Sequence, residues 1–268
     1  MTAAISRAQP RSSMQKIDVK TVNHIRLITI CNERIRNALS KQMNADLLRA
    51  FDEAEADEQV RAIVVTGAGD VAFSSGHDLR EIAAGQISGS EDSEAAFMRP
   101  LTMEKPVIAA VNGHCYAAGF ILALSCDLRI ASQNAMFGSP GAKLGMLPEG
   151  GQLVRLPQLI SPARAMQLML TAVPMTADEA CQCNFVTAVV PVGKVLEAGM
   201  SLANQIAGNA PAVVKAVKRG LNLGLREGKG AIAAYEMRTA RELEHGAQAK
   251  EGVNAFLTKR APIYPLNG

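Results

Sequence analysis

The 268-residue sequence predicts an α/β fold, and three observations carry that expectation. Short β-rich runs alternate with stretches of helical period. The runs end in Gly-containing turns, where α/β proteins place their ligands. After about residue 160 the pattern becomes helical. Taken in order, residues 24–31 (HIRLITIC) alternate and are rich in β-branched side chains, so they read as a strand. Ser40 is a candidate N-cap for a helix that sets Met43, Leu47, Phe51 and Ala54 on one face. Residues 61–66 (RAIVVT) read as a buried strand ended by Gly67-Ala68-Gly69, and residues 106–111 (PVIAAV) as another ended by Asn112-Gly113. Residues 128–131 (LRIA) read as a third. Further on, Ser161-Pro162 is an N-cap followed by proline at the first helical position. The run Thr176-Ala177-Asp178-Glu179 is a capping box. Residues 193–208 form an amphipathic helix on Val195, Leu202 and Ile206, and 211–225 and 230–245 resemble two more. The expected organisation is a disordered segment over 1–16, an α/β core over 17–192 and a C-terminal helical region over 193–268.

Composition narrows the classes of function. With 48% hydrophobic and 20% charged residues, the chain is globular and neither disordered nor supercharged. Aromatics are 4% and Trp is absent, which argues against aromatic platforms for bases or sugars. The net charge of +3 is unevenly spread. Residues 1–190 hold 17 Lys and Arg against 19 Asp and Glu, while residues 191–268 hold 11 against 6. A basic C-terminal end suits an anionic ligand or partner. Five cysteines, an odd number in apolar surroundings, suit free thiols in a reducing compartment. Cys181-Gln182-Cys183 is too tightly spaced for a zinc pair, and no metal site is expected. No apolar run approaches the roughly 20 residues that a membrane span needs. Residues 1–16 carry Arg7, Arg11 and Lys16 and no acid, a composition shared by transit peptides and loose bacterial N-termini. A cytoplasmic location is expected, with an organelle matrix left open.

Three loops carry chemistry. The first, residues 72–79 (AFSSGHDL), follows a strand and a Gly turn and precedes a helical stretch. The second, residues 112–120 (NGHCYAAGF), also leaves a strand and enters an apolar helix over 117–125. A glycine before a helix admits close backbone approach, and amides at a helix start attract negative charge. Two such loops can aim two N–H groups at one oxygen, forming an oxyanion hole. From spacing alone, two ordinary strand-to-helix turns explain them as well. The third loop, residues 144–151 (LGMLPEGG), sets a lone acid, Glu149, in a Gly-rich apolar setting. That acid is either a proton shuttle of raised pKa or a solvated turn residue.

These blocks, in this order, make the sequence resemble the crotonase, or enoyl-CoA hydratase/isomerase, superfamily. Residues 32–40 (NERIRNALS) resemble its first block and 73–79 (FSSGHDL) its FxAGADL block. Residues 111–127 resemble its NGxxxGGG…CD block, and 137–151 (FGSPGAKLGMLPEGG) the block carrying catalytic acids. Residues 185–191 (FVTAVVP) and 255–262 (AFLTKRAP) are similar to its later GLVNxVVP and AFxxKRxP stretches. The resemblance spans about residues 20–265. It implies a crotonase (ClpP-like) spiral of ββα units with C-terminal helices that build a homotrimer, often paired into a hexamer. It also implies acyl-CoA thioester substrates, with coenzyme A as part of the substrate rather than a separate cofactor, and an enolate held by two backbone amides.

Carried onto this chain, those amides belong to His77 and Ala118. The resemblance places a helix glutamate at Ile121 and a second glutamate at Gly141, so both carboxylates usual in hydratases are missing. Glu149 remains, and a PEGG-like glutamate resembles the single base of Δ3,Δ2-enoyl-CoA isomerases. Ile121, Leu144 and Met146 would keep such a carboxylate basic. The His77 side chain either narrows the pocket or turns to solvent. Arg34, Arg36, Lys259 and Arg260 are candidates for the CoA phosphates, with ordinary surface charge as the alternative. Backbone groups around Ser75 are the candidates for adenine. Isomerisation is expected ahead of hydration or lyase chemistry. A weakly catalytic acyl-CoA-binding protein is the alternative from another class. Some relatives bind RNA, but few aromatics and no dense Lys/Arg run argue against nucleic acid here.

Overall fold

The structure, a computed structural model of the full chain, describes residues 16–86 and 91–265. Of the segment 1–16, all but Lys16 lies outside the described residues, as do 87–90 and 266–268. A hairpin opens the fold: β1 (Lys16–Val22) pairs antiparallel with β2 (Ile25–Cys31). The helix α1 (Lys41–Ala56) starts as its cap demands, with the Ser40 hydroxyl accepting from the Met43 amide at 3.2 Å. Met43, Leu47, Phe51 and Ala54 are all buried on its inner face.

From there the chain repeats one unit three times. The first round is β3 (Ala62–Gly67), β4 (Ala72–Ser74), and helices α2 (Leu79–Ala83) and α3 (Glu91–Met98). The second is β5 (Val107–Val111), β6 (His114–Tyr116) and α4 (Ala118–Ser125). The third is β7 (Leu128–Ser132), β8 (Met136–Gly138), α5 (Gly141–Leu144) and α6 (Gln152–Leu159). There follow α7 (Pro162–Thr171), β9 (Met175–Thr176), α8 (Ala177–Gln182) and β10 (Ala188–Val190). Strands β3, β5 and β7 lie parallel in a six-stranded sheet of order β1-β2-β3-β5-β7-β10, whereas β4, β6 and β8 lie parallel in a second sheet of order β4-β6-β8-β9. Each round thus gives one strand to each sheet and then a helix, which is the spiral of ββα units implied by the resemblance. Strands β4 and β6 fall within the first two loops of the sequence, because three residues are too few to show a period of two.

The large sheet is covered on both faces, so its strands read as unbroken apolar runs. Ile63, Val65, Val107, Ala109 and Val111 pack into the main core with Leu47, Phe51 and Phe97. Their alternate neighbours Val64, Ile108 and Ala110 pack with Val195, Ala203 and Ala207 of α9 (Val195–Ala207). Three more helices follow: α10 (Pro211–Glu227), α11 (Lys229–Glu244) and α12 (Ala247–Leu257). Lys218 anchors α10 to the core. Its ammonium is buried and donates to Pro100 O at 3.1 Å, Lys105 O at 2.9 Å and Asp127 Oδ2 at 2.7 Å. The other side of α10 leaves Val213, Val217, Leu221 and Leu225 exposed at four-residue spacing. Among the described residues no helix is long and apolar enough to cross a membrane.

Candidate active site

Two strand ends meet here. Just after β4, Leu39 lies beside His77 as a parallel bridge, in which Leu39 N–H donates to Gly76 O at 2.8 Å and Asp78 N–H donates to Leu39 O at 2.9 Å. In a parallel bridge the central residue is bonded through its neighbours, so the N–H of His77 points to the other side. On that side begins α4. A Cβ placed on Gly76 would stand 2.8 Å from the Ala118 nitrogen, and Gly76 has φ +91°, so the position requires glycine twice over. Ala118 is the first residue of α4, where amides have no intrahelical acceptor. Among the described residues no backbone carbonyl accepts from the amide of His77 or of Ala118. Ala117, just before, is held at φ 51°, ψ −124°, a costly conformation for an alanine that only firm surroundings maintain.

Buried asparagines supply that firmness. Asn37 donates from Nδ2 to Ala72 O at 2.6 Å and to Ala68 O at 3.0 Å. Asn112 donates to Gly69 O at 2.6 Å and Ala72 O at 3.0 Å, and accepts from Gly67 N at 3.1 Å. The Ser74 hydroxyl donates to Asn37 O at 2.9 Å and accepts from Gly76 N at 3.1 Å. Ser75 is tied to the same block, its hydroxyl donating to Ile35 O at 3.2 Å. The first block therefore acts as a brace for the amide-bearing loop.

Ser75, His77, Ala118 and Glu149 line one cavity of about 310 Å³. Ile121, Gly141, Leu144 and Met146 share its wall. Gly150 seats the acid loop on α4, since a Cβ there would lie 2.5 Å from Ile121 Cδ1. The surroundings of Glu149 differ from the expectation in one respect. Ile121 is buried, but Leu144 and Met146 are 52% and 46% exposed, and Glu149 is itself exposed. Between the left-handed turns at Gly145 and Gly150 (φ 70° and 63°), Met146, Leu147 and Pro148 line the cavity without burying the acid.

The His77 side chain turns inward, not to solvent. Its Nε2 lies 3.2 Å from Glu94 Oε1, and its ring meets Phe97 edge-on at 5.0 Å. Glu94, from α3, also lines the cavity and is 9% exposed. Sequence reasoning missed it, although an acid three residues before Phe97, on the helix face that buries Phe97, was a visible signal. Tyr116 and Gln152 were missed as well. Burial pushes the Tyr116 phenol above its ordinary value against the opposing charge of Arg36. Burial first, and Arg36 second, hold His114 below its ordinary value.

The cationic candidates divide. Arg34 and Arg36 are exposed on the 3-10 turn before α1, and Arg36 is close enough to act on Tyr116 at the cavity wall. Lys259 and Arg260 follow α12 and do not line the cavity. Arg260 instead forms a two-pronged pair with Glu251, at 2.6 and 2.8 Å.

Known proteins resemble this chain over most of its length. The family model described as enoyl-CoA hydratase/isomerase matches residues 20–265. A short-chain-enoyl-CoA hydratase of Clostridium acetobutylicum is 36% identical over 244 residues, covering 88% of this chain and 92% of its own. A carnitinyl-CoA dehydratase of Salmonella typhi is 33% identical over 235 residues, covering 85% and 90%. The crystal structure of an enoyl-CoA hydratase from Mycobacterium tuberculosis H37Rv superposes with a TM-score of 0.88 at 32% identity, covering 95% of this chain and 100% of that one.

Proposed function

From the premise that this chain belongs to the enoyl-CoA hydratase/isomerase family, and is an enzyme of it, we propose that it isomerises 3-enoyl-CoA to 2-enoyl-CoA with Glu149 as its single acid/base. The observation that carries the reading is the pairing of Glu149 with apolar Ile121 and carboxylate-free Gly141 in one cavity wall. Isomerisation needs one carboxylate. The Glu149 carboxylate takes a proton from C2 of the thioester. The C2–H pair becomes a C1=C2 bond as the carbonyl pair moves to oxygen, giving a dienolate that keeps C3=C4 and whose oxygen is held by the amides of His77 and Ala118. The Glu149 acid then returns the proton to C4, leaving a C2=C3 bond, with no net gain or loss of atoms.

The names of the hydratase and dehydratase relatives favour a second reading, in which the same cavity adds or removes water. Incubation with 3-enoyl-CoA and with 2-enoyl-CoA, read by chromatography that resolves the two isomers and by the mass gained when water adds, separates the two. Consumption of the 2-enoyl substrate alone rejects isomerisation. Glu149→Gln is expected to lower kcat by about 10²–10⁴-fold, the usual worth of a positioned acid/base. A variant that keeps most activity overturns the assignment. A homotrimer or hexamer is part of the proposal, supported by the exposed apolar stripe of α10, and light scattering of the purified protein tests it. A cytoplasmic setting is also part of it, supported by five free thiols.

A further inference from the structure

The loop that carries the acid is stiff on one side of it and loose on the other. Pro148 precedes Glu149 and has its φ locked, so the chain enters the acid stiffly. Gly150 and Gly151 follow, at φ 63° and 79°, and glycines alone would let the acid swing. Glu149 is exposed, and among the described residues its carboxylate has no hydrogen bond or ion pair. What aims it is its backbone, and the anchor of that backbone is Gln152. The carbonyl oxygen of Glu149 accepts twice from this residue, from the side-chain Nε2 at 3.0 Å and from the backbone N–H at 3.3 Å. Two donors on one oxygen fix the plane of the peptide that leaves Glu149. Gln152 is the first residue of α6 and is 3% exposed. Only the nitrogen end of its side-chain amide can face a carbonyl. The oxygen end, Oε1, is buried and has no hydrogen-bond partner. An unpaired buried acceptor costs about 1–3 kcal/mol, which an apolar side chain of the same size would avoid. Stability therefore does not account for a glutamine here. The support continues behind it: Leu156 of α6 is fully buried, α6 packs on α4, and α4 begins with the Ala118 amide.

We propose that Gln152 is the positioning residue of the base: its side-chain amide holds the Glu149 carbonyl and thereby keeps the carboxylate at C2 of a thioester whose oxygen sits on the amides of His77 and Ala118. The inference rests on the reading of Glu149 as acid/base and adds the group that aims it. Gln152 acts through Glu149 and touches no reacting atom. Both residues line the same cavity, so the tie lies within its wall. A base displaced by about 1 Å is expected to lose about 10²-fold in rate, with binding of the thioester untouched.

Exchange of the C2 protons of butyryl-CoA in D2O tests this, because a saturated thioester can lose a C2 proton but has no double bond to move. The Glu149 carboxylate takes the C2 proton, the exposed acid trades it for a deuteron from solvent, and the deuteron returns to C2. Deuterium uptake is read by mass spectrometry. Gln152→Met keeps the length of the side chain, leaves no acceptor unpaired and is expected to fold. It is expected to exchange about 10²-fold more slowly than the wild type, with unchanged calorimetric affinity for butyryl-CoA. In turnover of 3-enoyl-CoA its kcat falls and its KM does not. Gln152→Leu is the second variant, with the same expected outcome. Either variant, folded and exchanging at the wild-type rate, overturns the inference. So does a loss of affinity in step with exchange, which a merely structural role would give. If the wild type binds butyryl-CoA but exchanges no faster than Glu149→Gln, the reading of Glu149 as the base fails and the inference falls with it, a different result from a variant that matches an active wild type.

Discussion

Gly76→Ala tests the claim that two loops are fitted closely enough to aim two amides at one oxygen. The added methyl would stand 2.8 Å from the Ala118 nitrogen and 3.2 Å from Ala117 Cβ, on a residue at φ +91°. The left-handed conformation costs an alanine about 1–2 kcal/mol. Overpacking against backbone adds about 1–3 kcal/mol. The sum, about 2–5 kcal/mol, lowers Tm by roughly 5–15 °C in a chain of this size. Relief comes only by pushing the start of α4 away, which removes the Ala118 donor from its aim and lowers kcat by about 10²–10³-fold. Gly193 supplies the control, with φ +80° and nothing within 4 Å of an added Cβ. Gly193→Ala is expected to show only the conformational cost and full turnover. Circular-dichroism melts and steady-state turnover of 3-enoyl-CoA read both quantities. Gly76→Ala turnover within tenfold of wild type refutes the fitted-loop reasoning, as does equal destabilisation by the two variants.

Other outcomes follow from charge and burial. Burial pushes Cys126 up to about 12 and Cys115 well above its ordinary range, so a disulfide reagent at pH 8 is expected to label at most Cys31, Cys181 and Cys183 in native protein. All five react once guanidinium unfolds the chain. The Arg260 fork, and then the Ile263 amide, hold the Glu251 carboxyl down at about 2. A depressed pKa stabilises the fold above the unfolded value of 4.5 and loses that contribution as pH falls through about 2. The Glu251 carboxyl carbon signal should therefore titrate near 2, and higher in Arg260→Ala, where the Ile263 amide still holds it down in part. Lys218→Met strips a buried cation from Asp127 and from two carbonyls, and is expected to destabilise by about 3–5 kcal/mol in denaturant titrations. A loss under 1 kcal/mol would mean that the pair contributes little beyond its own desolvation.

The large sheet was legible because burial on both faces writes itself as apolar runs such as AIVVTG and VIAAV. Caps at Ser40, Ser161 and Thr176 were legible because each is a local bargain between a side chain and the next amides. The small sheet was not, since three-residue strands are defined by neighbours far along the chain. The hairpin strand β1 was missed because its burial pattern is mostly exposed, and α12 because its block was noticed for its cations rather than its period. At the site, motif blocks located the loops with His77, Ala118 and Glu149. The direction of the His77 side chain was invisible, because its partner Glu94 lies on α3, 17 residues on.

The two positions without carboxylates are informative together. Where the resemblance to hydratases sets a glutamate, Ile121 is 3% exposed and carries Gly150 against its Cδ1. The same side chain that removes one acid thus seats the loop bearing Glu149. Gly141 closes the other end of that loop, its carbonyl accepting from Met146 N at 3.0 Å. A Cβ on Gly141 would fall 2.5 Å from the Met146 carbonyl oxygen, so the tight turn and an acid at this position exclude each other. The absence of carboxylates at 121 and 141 and the placement of Glu149 are therefore one packing solution. Writing glutamates back at 121 and 141 would bury a charge against Gly150 and open the 141–146 turn, displacing Glu149 rather than adding partners to it. On the proposed isomerase chemistry the backbone itself favours one working carboxylate, and the cavity's acids are Glu149 on the open side and Glu94, paired with His77, within.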